Sequence, residues 1–257
     1  MEHIGDILHR QVLKTSKIVS ENPSIEPEYK CQICKDMGFV HPVEDGKVRY
    51  DSVIPCKCMA ETLEKERQER YLRLCKLPAD TEHVTFENFE TEGNSSLIEA
   101  FNYAKALAMG TGEIRWLTLI GKVDRGKTHL AVAICRCWME RGKAARYAFV
   151  PLMLKELRDG FELEGEHSYR LKMNFLCDVG LLVLDDLGVE KDSLWAQEQV
   201  QMIVHYRGIN GLPLVVTSNK KVDDMPIDPE RRIASRLQRE RWCRVVALDI
   251  GEHRLKR

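Results

Sequence analysis

The sequence predicts an α/β protein in which a parallel sheet is flanked by helices and preceded by a small cysteine-rich module. Three observations support this prediction. Short apolar runs near residues 116–120, 181–185 and 212–216 alternate with helical segments, the first run leads into a glycine-containing loop, and paired cysteines occur before residue 60. Apolar runs of this length between helices are typical of strands buried on both faces of a parallel sheet.

The 257 residues leave room for one α/β core and one small module, and the formal net charge is −1 at pH 7. A chain this close to neutrality shows no overall preference for nucleic acid. We find no signal peptide and no long apolar segment in the sequence. This predicts a cytoplasmic protein with reduced thiols and no membrane partner.

Residues 1–20 are expected to form an amphipathic helix, because Ile4, Ile7, Leu8 and Val12 recur at helical spacing. Such a helix has little else to pack against in its own segment. It would dock on a partner protein or fold back on the module that follows, and the spacing does not choose between these alternatives.

Residues 21–58 are predicted to form a small zinc-ribbon-like module. Cys31 and Cys34 form a C-x-x-C pair, and Cys56 and Cys58 form a C-x-C pair after a gap of about twenty residues. Four thiolates suit the tetrahedral coordination of Zn²⁺. The alternative is a set of unliganded or redox-active thiols, because C-x-C is a less usual half of a zinc site. We interpret the remaining cysteines as small buried apolar residues: Cys75, Cys135, Cys137, Cys177 and Cys243.

Residues 59–80 are predicted to form a charged helical linker, because oppositely charged side chains recur there at i, i+4 spacing. The nucleotide domain is expected to occupy residues 81–257. Within it, Ser96 and Glu99 have the spacing of a capping box, which predicts that a helix begins there, before the first apolar strand.

Residues 121–128 read GKVDRGKT and match the phosphate-loop pattern G-x-x-x-x-G-K-[ST]. Glycines let the backbone N–H groups approach anionic oxygens at a helix N-terminus, where the helix dipole also favours negative charge. Lys127 would place its charge on the β- and γ-phosphates, and Thr128 would offer its hydroxyl to Mg²⁺. We therefore expect these residues to bind a nucleoside triphosphate: Gly121, Lys122, Val123, Asp124, Arg125, Gly126, Lys127 and Thr128.

The apolar run that begins at residue 181 ends in Asp185 and Asp186. Mg²⁺ prefers hard oxygen ligands, and a carboxylate at the same sheet edge as the phosphate loop supplies one. We assign Asp185 to the Mg²⁺ shell, usually through water, and Asp186 to polarising the attacking water. Without the phosphate loop, two aspartates that simply start the next loop would be the favoured interpretation. Many related enzymes have Asp-Glu here, so the shorter Asp186 predicts slow hydrolysis.

A further apolar run, residues 212–216, is followed by Thr217, Ser218 and Asn219. Ligands of open α/β sheets bind at the carboxyl ends of the strands, so Asn219 is expected to reach the γ-phosphate or its water. The same three residues would also cap the strand as a turn, because they readily form local side-chain to backbone hydrogen bonds. Both interpretations are compatible.

Residues 230–237 are predicted to form a helix in which Arg232 and Arg236 share a face at i, i+4 spacing. Arginine suits phosphate recognition, and one supplied by a neighbouring subunit stabilises transition-state charge. Arg236 in that role would require self-association into an oligomer. The alternative is a solvated basic helix face.

These motifs resemble the AAA+ ATPases of the bacterial helicase loader family (DnaC and DnaI), with the transposition helper IstB as a relative. The likeness rests on residues 121–131 (GKVDRGKTHLA), 181–188 (LLVLDDLG), 214–219 (LVVTSN) and 232–237 (RIASRL), and weaker similarity appears at residues 84–89 and 146–161. Together these segments cover about residues 80–257 in order.

The resemblance implies a P-loop AAA+ fold that binds ATP and Mg²⁺, with Asn219 sensing the γ-phosphate and Arg236 acting in trans. Arg254 lies near the place where such proteins have a further phosphate-contacting arginine. About twenty residues follow Arg236, which is too few for the helical lid domain that most AAA+ proteins have. A missing lid is also a feature of the helicase loaders that this chain resembles. The family's loop usually has a third glycine where this chain has Asp124, which tolerates left-handed backbone angles but brings a carboxylate near the phosphates.

Three classes of function are compatible with these residues. The first is a replication factor that loads a replicative DNA helicase onto single-stranded DNA, with slow ATP hydrolysis stimulated by partner or DNA. The second is an IstB-like helper of a DNA transposase, and the third is a small-molecule kinase, which Asn219 and Arg236 disfavour. The cysteine module favours the first, because transposition helpers as a rule lack it. Lys155 and Arg158 lie on the helix where initiator-type relatives contact single-stranded DNA.

Overall fold

A computed structural model describes residues 29–91, 93–188, 193–225, 227–228, 230–239 and 241–248. The expected helix of residues 1–20 and the expected phosphate contact of Arg254 lie outside the described residues. The chain divides into two compact units, residues 1–62 and 63–257. In the part that is described, no helix is both long enough and apolar enough to cross a membrane.

The small unit contains two short antiparallel pairs of strands. Strand β1 (Phe39–Val40) pairs with β4 (Ile54–Pro55), and β2 (Val43–Glu44) pairs with β3 (Lys47–Val48). Helix α1 (Lys57–Cys75) follows and begins between the third and fourth cysteines of the predicted metal site. It ends five residues before the predicted end of the linker at residue 80.

The larger unit is an α/β domain with five parallel strands, as the sequence predicts. These are β5 (Trp116–Ile120), β6 (Ala145–Phe149), β7 (Leu181–Asp185), β8 (Leu214–Ser218) and β9 (Cys243–Ala247), in the spatial order β6-β7-β8-β5-β9. The helices are α2 (Ser95–Met109), α3 (Lys127–Glu140), α4 (Val150–Asp159), α5 (Tyr169–Asp178), α6 (Leu194–Ile209) and α7 (Arg232–Arg239). Short 3₁₀ turns occur at Gly160–Glu162, Gly165–His167 and Val222–Asp224.

The central strands β5, β7 and β8 are buried on both faces, which explains their largely apolar sequences, whereas the edge strand β9 exposes three of its five residues. On one face, strand residues such as Leu181 and Val183 pack with α2 and α3, and on the other, residues such as Leu182 and Leu184 pack with α4, α5, α6 and α7. Side chains of a strand alternate between faces, so successive residues enter different halves of the core. The sheet is therefore covered on both sides.

Helix α2 shows that the predicted capping box is wrong. The helix begins at Ser95, and the cap is Asn94, whose Oδ1 accepts hydrogen bonds from the backbone N–H groups of Ser96 (2.9 Å) and Leu97 (3.2 Å). Asparagine is among the strongest N-cap residues, so it takes the position two residues before the predicted one.

The strand order brings the candidate residues to one edge of the sheet. Strand β8 lies between β5, which leads into the phosphate loop, and β7, which ends in Asp185. From β5 the chain crosses to the outer strand β6, and from β8 it crosses back past β5 to β9. The carboxyl ends of β5, β8 and β7 are therefore adjacent, where open α/β sheets bind ligands.

Candidate functional site

The phosphate loop has the backbone that its glycines were expected to allow. Gly121 has φ 153° and Gly126 has φ 85°. A Cβ atom at Gly121 would lie 2.7 Å from the Leu248 carbonyl oxygen, and one at Gly126 would lie 2.8 Å from Phe89 Cε2, so any larger residue would require its neighbours to move. Helix α3 begins at Lys127 without a side-chain cap. Its first N–H groups are thus available to an anion.

Lys127 is almost fully buried, and its ammonium group connects the loop to strand β8. Nζ donates hydrogen bonds to the carbonyl oxygens of Gly121 (2.9 Å) and Lys122 (2.7 Å) and to Asn219 Oδ1 (2.8 Å). Burial lowers the pKa of Lys127, and the nearby carboxylates of Asp186 and Asp185 oppose this shift. A triphosphate would give the same ammonium group stronger, charged acceptors.

Asp185 is the most constrained side chain of the site, with 4% of its surface exposed. Thr217 Oγ1 donates a hydrogen bond of 2.6 Å to Oδ1, and the Tyr147 hydroxyl donates one to Oδ2. Thr128 Oγ1 lies 3.4 Å from both carboxylate oxygens. The two residues expected to hold Mg²⁺, Thr128 and Asp185, are therefore adjacent, and both offer the hard oxygen atoms that this cation prefers.

Asp186 lies beside Asn219 in a left-handed backbone conformation, with φ 57°. Its Oδ1 accepts a hydrogen bond of 3.0 Å from Asn219 Nδ2, and its backbone N–H donates to Thr217 Oγ1 over 2.9 Å. Burial raises the pKa of Asp186, and the charge of Asp185 raises it further. Asn219 thus contacts both Lys127 and Asp186, and its role as a γ-phosphate sensor stays a prediction.

A cavity of about 650 Å³ opens in front of these groups, within the size range of small-ligand sites. Eight of the sequence-predicted residues line it: Val123, Asp124, Arg125, Gly126, Lys127, Thr128, Asp186 and Asn219. His83 and His129 complete the lining. Gly121, Lys122 and Asp185 are not part of the lining, but each contacts a residue that is.

Several residues support the site although the sequence pattern gave them no individual role in it. Tyr147 and Thr217 hold Asp185; Tyr147 lies within β6, and Thr217 belongs to the polar cluster at the end of β8. Phe89 packs against the loop and against the ring of His129, at 5.2 Å between centroids. His129 Nε2 in turn lies 2.8 Å from the Thr85 carbonyl oxygen. This hydrogen bond and the ring contact connect residues 84–89 to the first turn of α3.

Arg236 is not part of this cavity. Its guanidinium donates to the Arg232 carbonyl oxygen (3.0 Å) and to His205 Nδ1 (2.8 Å). It lines a separate cavity with Trp116, the first residue of β5, and Trp242. Arg236 therefore lies toward the end of β5 that is opposite the phosphate loop. The role of Arg236 as a trans-acting arginine finger stays a prediction. From this position Arg236 could act only on the nucleotide bound by another copy of the chain.

The four predicted metal ligands of the small unit form a cluster. The sulfur atoms of Cys31, Cys34, Cys56 and Cys58 all lie within 4.8 Å of one another, and two pairs lie at 3.7 and 3.4 Å. Tetrahedral zinc with Zn–S bonds of about 2.3 Å places its sulfurs roughly 3.8 Å apart, so the cluster fits this ion. Hydrogen bonds from the backbone N–H groups of Cys34 and Ile33 lower the pKa of Cys31 to about 6. Among the described residues, it is the one group in which three or more His, Cys, Asp or Glu side chains lie close enough to share a metal ion.

The prediction of small buried core residues is confirmed for four of the other five cysteines and is wrong for Cys137. Four of them are buried and Cys137 is half-buried, and all are free thiols.

An aromatic and basic surface adjoins helix α4. Phe161 stacks on Tyr169 with ring centroids 4.3 Å apart, and it lies 6.3 Å from Trp195. The guanidinium of Arg158 lies over the Trp195 ring at 4.8 Å. Lys155 and Arg158 are exposed, as a DNA contact requires, but the three rings come from separate parts of the sequence and were not foreseen.

The strand order, the phosphate loop and the convergence of Lys127, Asp185 and Asn219 define the class: the large unit is a P-loop nucleotide-binding domain of the AAA+ type. A family model described as IstB-like ATP binding protein matches residues 46–226, well over half of the chain. The chain belongs to this family.

Individual relatives agree with this assignment. YqaM of Bacillus subtilis, described as uncharacterized, is 25% identical over 95% of this chain and 88% of its own. The replicative helicase loader DnaC of Escherichia coli is 29% identical over 61% of this chain and 64% of its own, so the match spans less than two thirds of DnaC. The crystal structure of DnaI has a TM-score of 0.58 at 20% identity, over 71% of this chain and 98% of that one, and shows the shared fold.

Proposed function

We propose that the protein is an ATP-dependent replication factor that loads a replicative DNA helicase onto single-stranded DNA. The observation that carries this proposal is the convergence of Lys127, Asp185, Asp186 and Asn219 at one sheet edge in a chain similar to the helicase loader DnaC. The cysteine cluster in the small unit supports loading over transposition, because the resemblance associates such a segment with loaders.

In the proposed ATP complex, the loop N–H groups and Lys127 bind the phosphates, and Asn219 contacts the γ-phosphate. Thr128 and Asp185 would hold Mg²⁺, which neutralises phosphate charge when bound. Asp186 polarises the attacking water. Its side chain is one methylene shorter than glutamate and is hydrogen-bonded to Asn219, which supports slow hydrolysis that depends on partner or DNA.

Self-association completes the site in this proposal. Arg236 lies too far from its own phosphate loop to act in cis, since it lines the cavity near Trp116 at the opposite end of β5. An arginine that approaches the γ-phosphate of a neighbouring copy would stabilise transition-state charge. The rate of ATP hydrolysis would then depend on correct assembly of the oligomer.

Single-stranded DNA is the proposed nucleic-acid partner, and the aromatic surface beside α4 supports it. Bases stack on aromatic rings with little sequence preference, while arginine and lysine contact the backbone phosphates. The stacked pair Phe161 and Tyr169, together with Trp195 and Arg158, supplies both kinds of contact. The phosphates would also attract Lys155.

We further propose that Cys31, Cys34, Cys56 and Cys58 bind Zn²⁺, which the sulfur distances support. The ion would have a structural role, since all four tetrahedral positions are taken by protein ligands.

The alternative function is that of an IstB-like ATPase helper of a DNA transposase, which the family match to residues 46–226 favours. One experiment separates the two. The tagged protein is incubated with ATP and either the replicative helicase or a transposase encoded beside it, and the bound partner is identified. Retention of the hexameric helicase and its transfer to single-stranded DNA is the expected result, whereas retention of the transposase alone would replace the loading proposal.

A further inference from the structure

Tyr147 lies at the centre of β6 with 4% of its surface exposed. The parallel register pairs Tyr147 with Val183, so Tyr147, Val183 and Asp185 project from the same face of the sheet. The phenol ring therefore reaches along the face toward the end of β7. There its hydroxyl donates a hydrogen bond to Asp185 Oδ2.

Each oxygen of Asp185 receives a hydrogen bond from an uncharged hydroxyl group. Thr217 donates to Oδ1 and Tyr147 donates to Oδ2. A carboxylate oxygen accepts about two hydrogen bonds, and the second position of each is occupied only by the long contact of 3.4 Å with Thr128 Oγ1, which a cation held by both residues would replace. The two hydroxyl donors hold the carboxylate in one orientation while they leave its charge uncancelled.

The phenol is a permanent donor at this position. A phenol has an ordinary pKa of about 10, so the hydroxyl keeps its proton at neutral pH and donates without carrying a charge. A lysine or arginine in the same place would form an ion pair with Asp185 and compete with a metal cation for the carboxylate. A tyrosine positions the carboxylate without that competition.

We propose that Tyr147 is a positioning residue for Asp185 that raises the affinity of the nucleotide site for the divalent cation accompanying the triphosphate. The proposal rests on the proposed binding of MgATP. Hydrogen-bond partners of a metal-ligating carboxylate typically change metal affinity or activity by about tenfold to a hundredfold when removed.

The test is the Tyr147→Phe variant of the full chain, which keeps the ring and removes the hydroxyl. Binding of a fluorescent ATP analogue is titrated in excess EDTA and at increasing Mg²⁺, and circular dichroism and thermal melting check the fold. Tyr206→Phe is the matched control, because Tyr206 OH donates a similar hydrogen bond of 2.6 Å to Asp178 Oδ1 on the exposed surface between α5 and α6.

We expect Tyr147→Phe to raise the Mg²⁺ concentration for half-maximal tight binding by about tenfold, with nucleotide affinity in EDTA unchanged. Tyr206→Phe should match the wild type in its Mg²⁺ dependence and in its nucleotide affinity in EDTA. An unshifted Mg²⁺ dependence, or equal loss of affinity with and without Mg²⁺, would overturn the role of Tyr147. A wild-type protein that binds no nucleotide would instead overturn the proposed function, and this inference with it. If Tyr147→Phe is unfolded, Thr217→Val is measured instead and judged by the same criteria; it removes the donor to Oδ1 and also the acceptor of the Asp186 backbone N–H.

Discussion

The nucleotide site lies at the edge of a sheet that helices cover on both faces, whereas the described residues around the four cysteine sulfurs, 29–62, contain almost no apolar core. In residues 29–62, the buried apolar side chains are Cys34 and Cys56 themselves. Eight large apolar side chains of the same unit are exposed: Ile33, Met37, Phe39, Val43, Val48, Tyr50, Val53 and Ile54.

This difference teaches how each site obtains its geometry. The carboxylate of Asp185 is held by hydrogen bonds from neighbouring strands of a packed core, so the nucleotide site is pre-formed. Residues 29–62 show no comparable packing around the cysteine cluster, and small domains of this kind usually need a metal or disulfides for stability. We therefore expect the fold of the small unit, and not that of the ATPase domain, to depend on a ligand.

The largest expected effect is that of metal removal on the small unit. Structural zinc contributes about 10–16 kcal/mol in small zinc-binding peptides, so Cys34→Ser should abolish zinc binding and the ordered structure of residues 31–58. Nucleotide binding by the larger unit should persist. Zinc content by atomic absorption and amide dispersion by NMR check the variant, with Cys137→Ser as a control outside the cluster. Full retention of zinc and of amide dispersion would contradict the assignment.

The second effect concerns turnover in the assembled state. Arg236→Ala should retain ATP binding and lose partner-stimulated hydrolysis by about a thousandfold, because trans-acting arginines act on transition-state charge. Arg232→Ala is the matched control, since Arg232 lies one turn earlier on the same helix and forms an exposed ion pair with Glu230 at 2.5 Å. Normal stimulated hydrolysis by Arg236→Ala would show that the finger assignment is wrong.

The third effect is on ground-state binding. Lys127→Ala removes the ammonium group that connects the loop to Asn219, and hydrogen bonds to charged groups contribute about 1.5–3 kcal/mol each, so ATP affinity should fall by about a hundredfold or more. Titration with labelled nucleotide measures this loss. Lys143→Ala, at an exposed turn beside Trp138, should bind as the wild type does. Comparable binding by the two variants would place the nucleotide elsewhere.

The smallest effect tests the unusual residue of the loop. Asp124 has φ 61°, a conformation that suits glycine better, and its carboxylate lies close enough to influence Lys127. Asp124→Gly removes both the backbone strain and the negative charge, so ATP affinity should rise by roughly fivefold, equivalent to about 1 kcal/mol. Unchanged affinity in the same titration would reject this explanation of the departure from the family pattern.

Much of the larger unit was accessible from local patterns. Strands β5 and β7 cover the apolar runs at residues 116–120 and 181–185 that predicted them, and a helix begins directly after the phosphate loop, as expected. Strand β8 begins two residues later than predicted, at Leu214, and includes Thr217 and Ser218. Thr217 and Ser218 were expected as a polar cluster at the carboxyl end of this strand, and their burial was not foreseen because polar side chains are usually exposed.

The sequence by itself determined which chemical groups are present and on which kind of element they lie. A phosphate loop, a carboxylate at a strand end and a pair of cysteine motifs are short-range patterns, and short-range physics suffices to recognise them. Tertiary structure alone decided that β8 separates β5 from β7, that Tyr147 and Thr217 hold Asp185, that three distant rings form one surface, and that Arg236 lies away from its own nucleotide. These facts depend on strand order and crossover connections, which are set by the packing of the whole core rather than by any local run of residues.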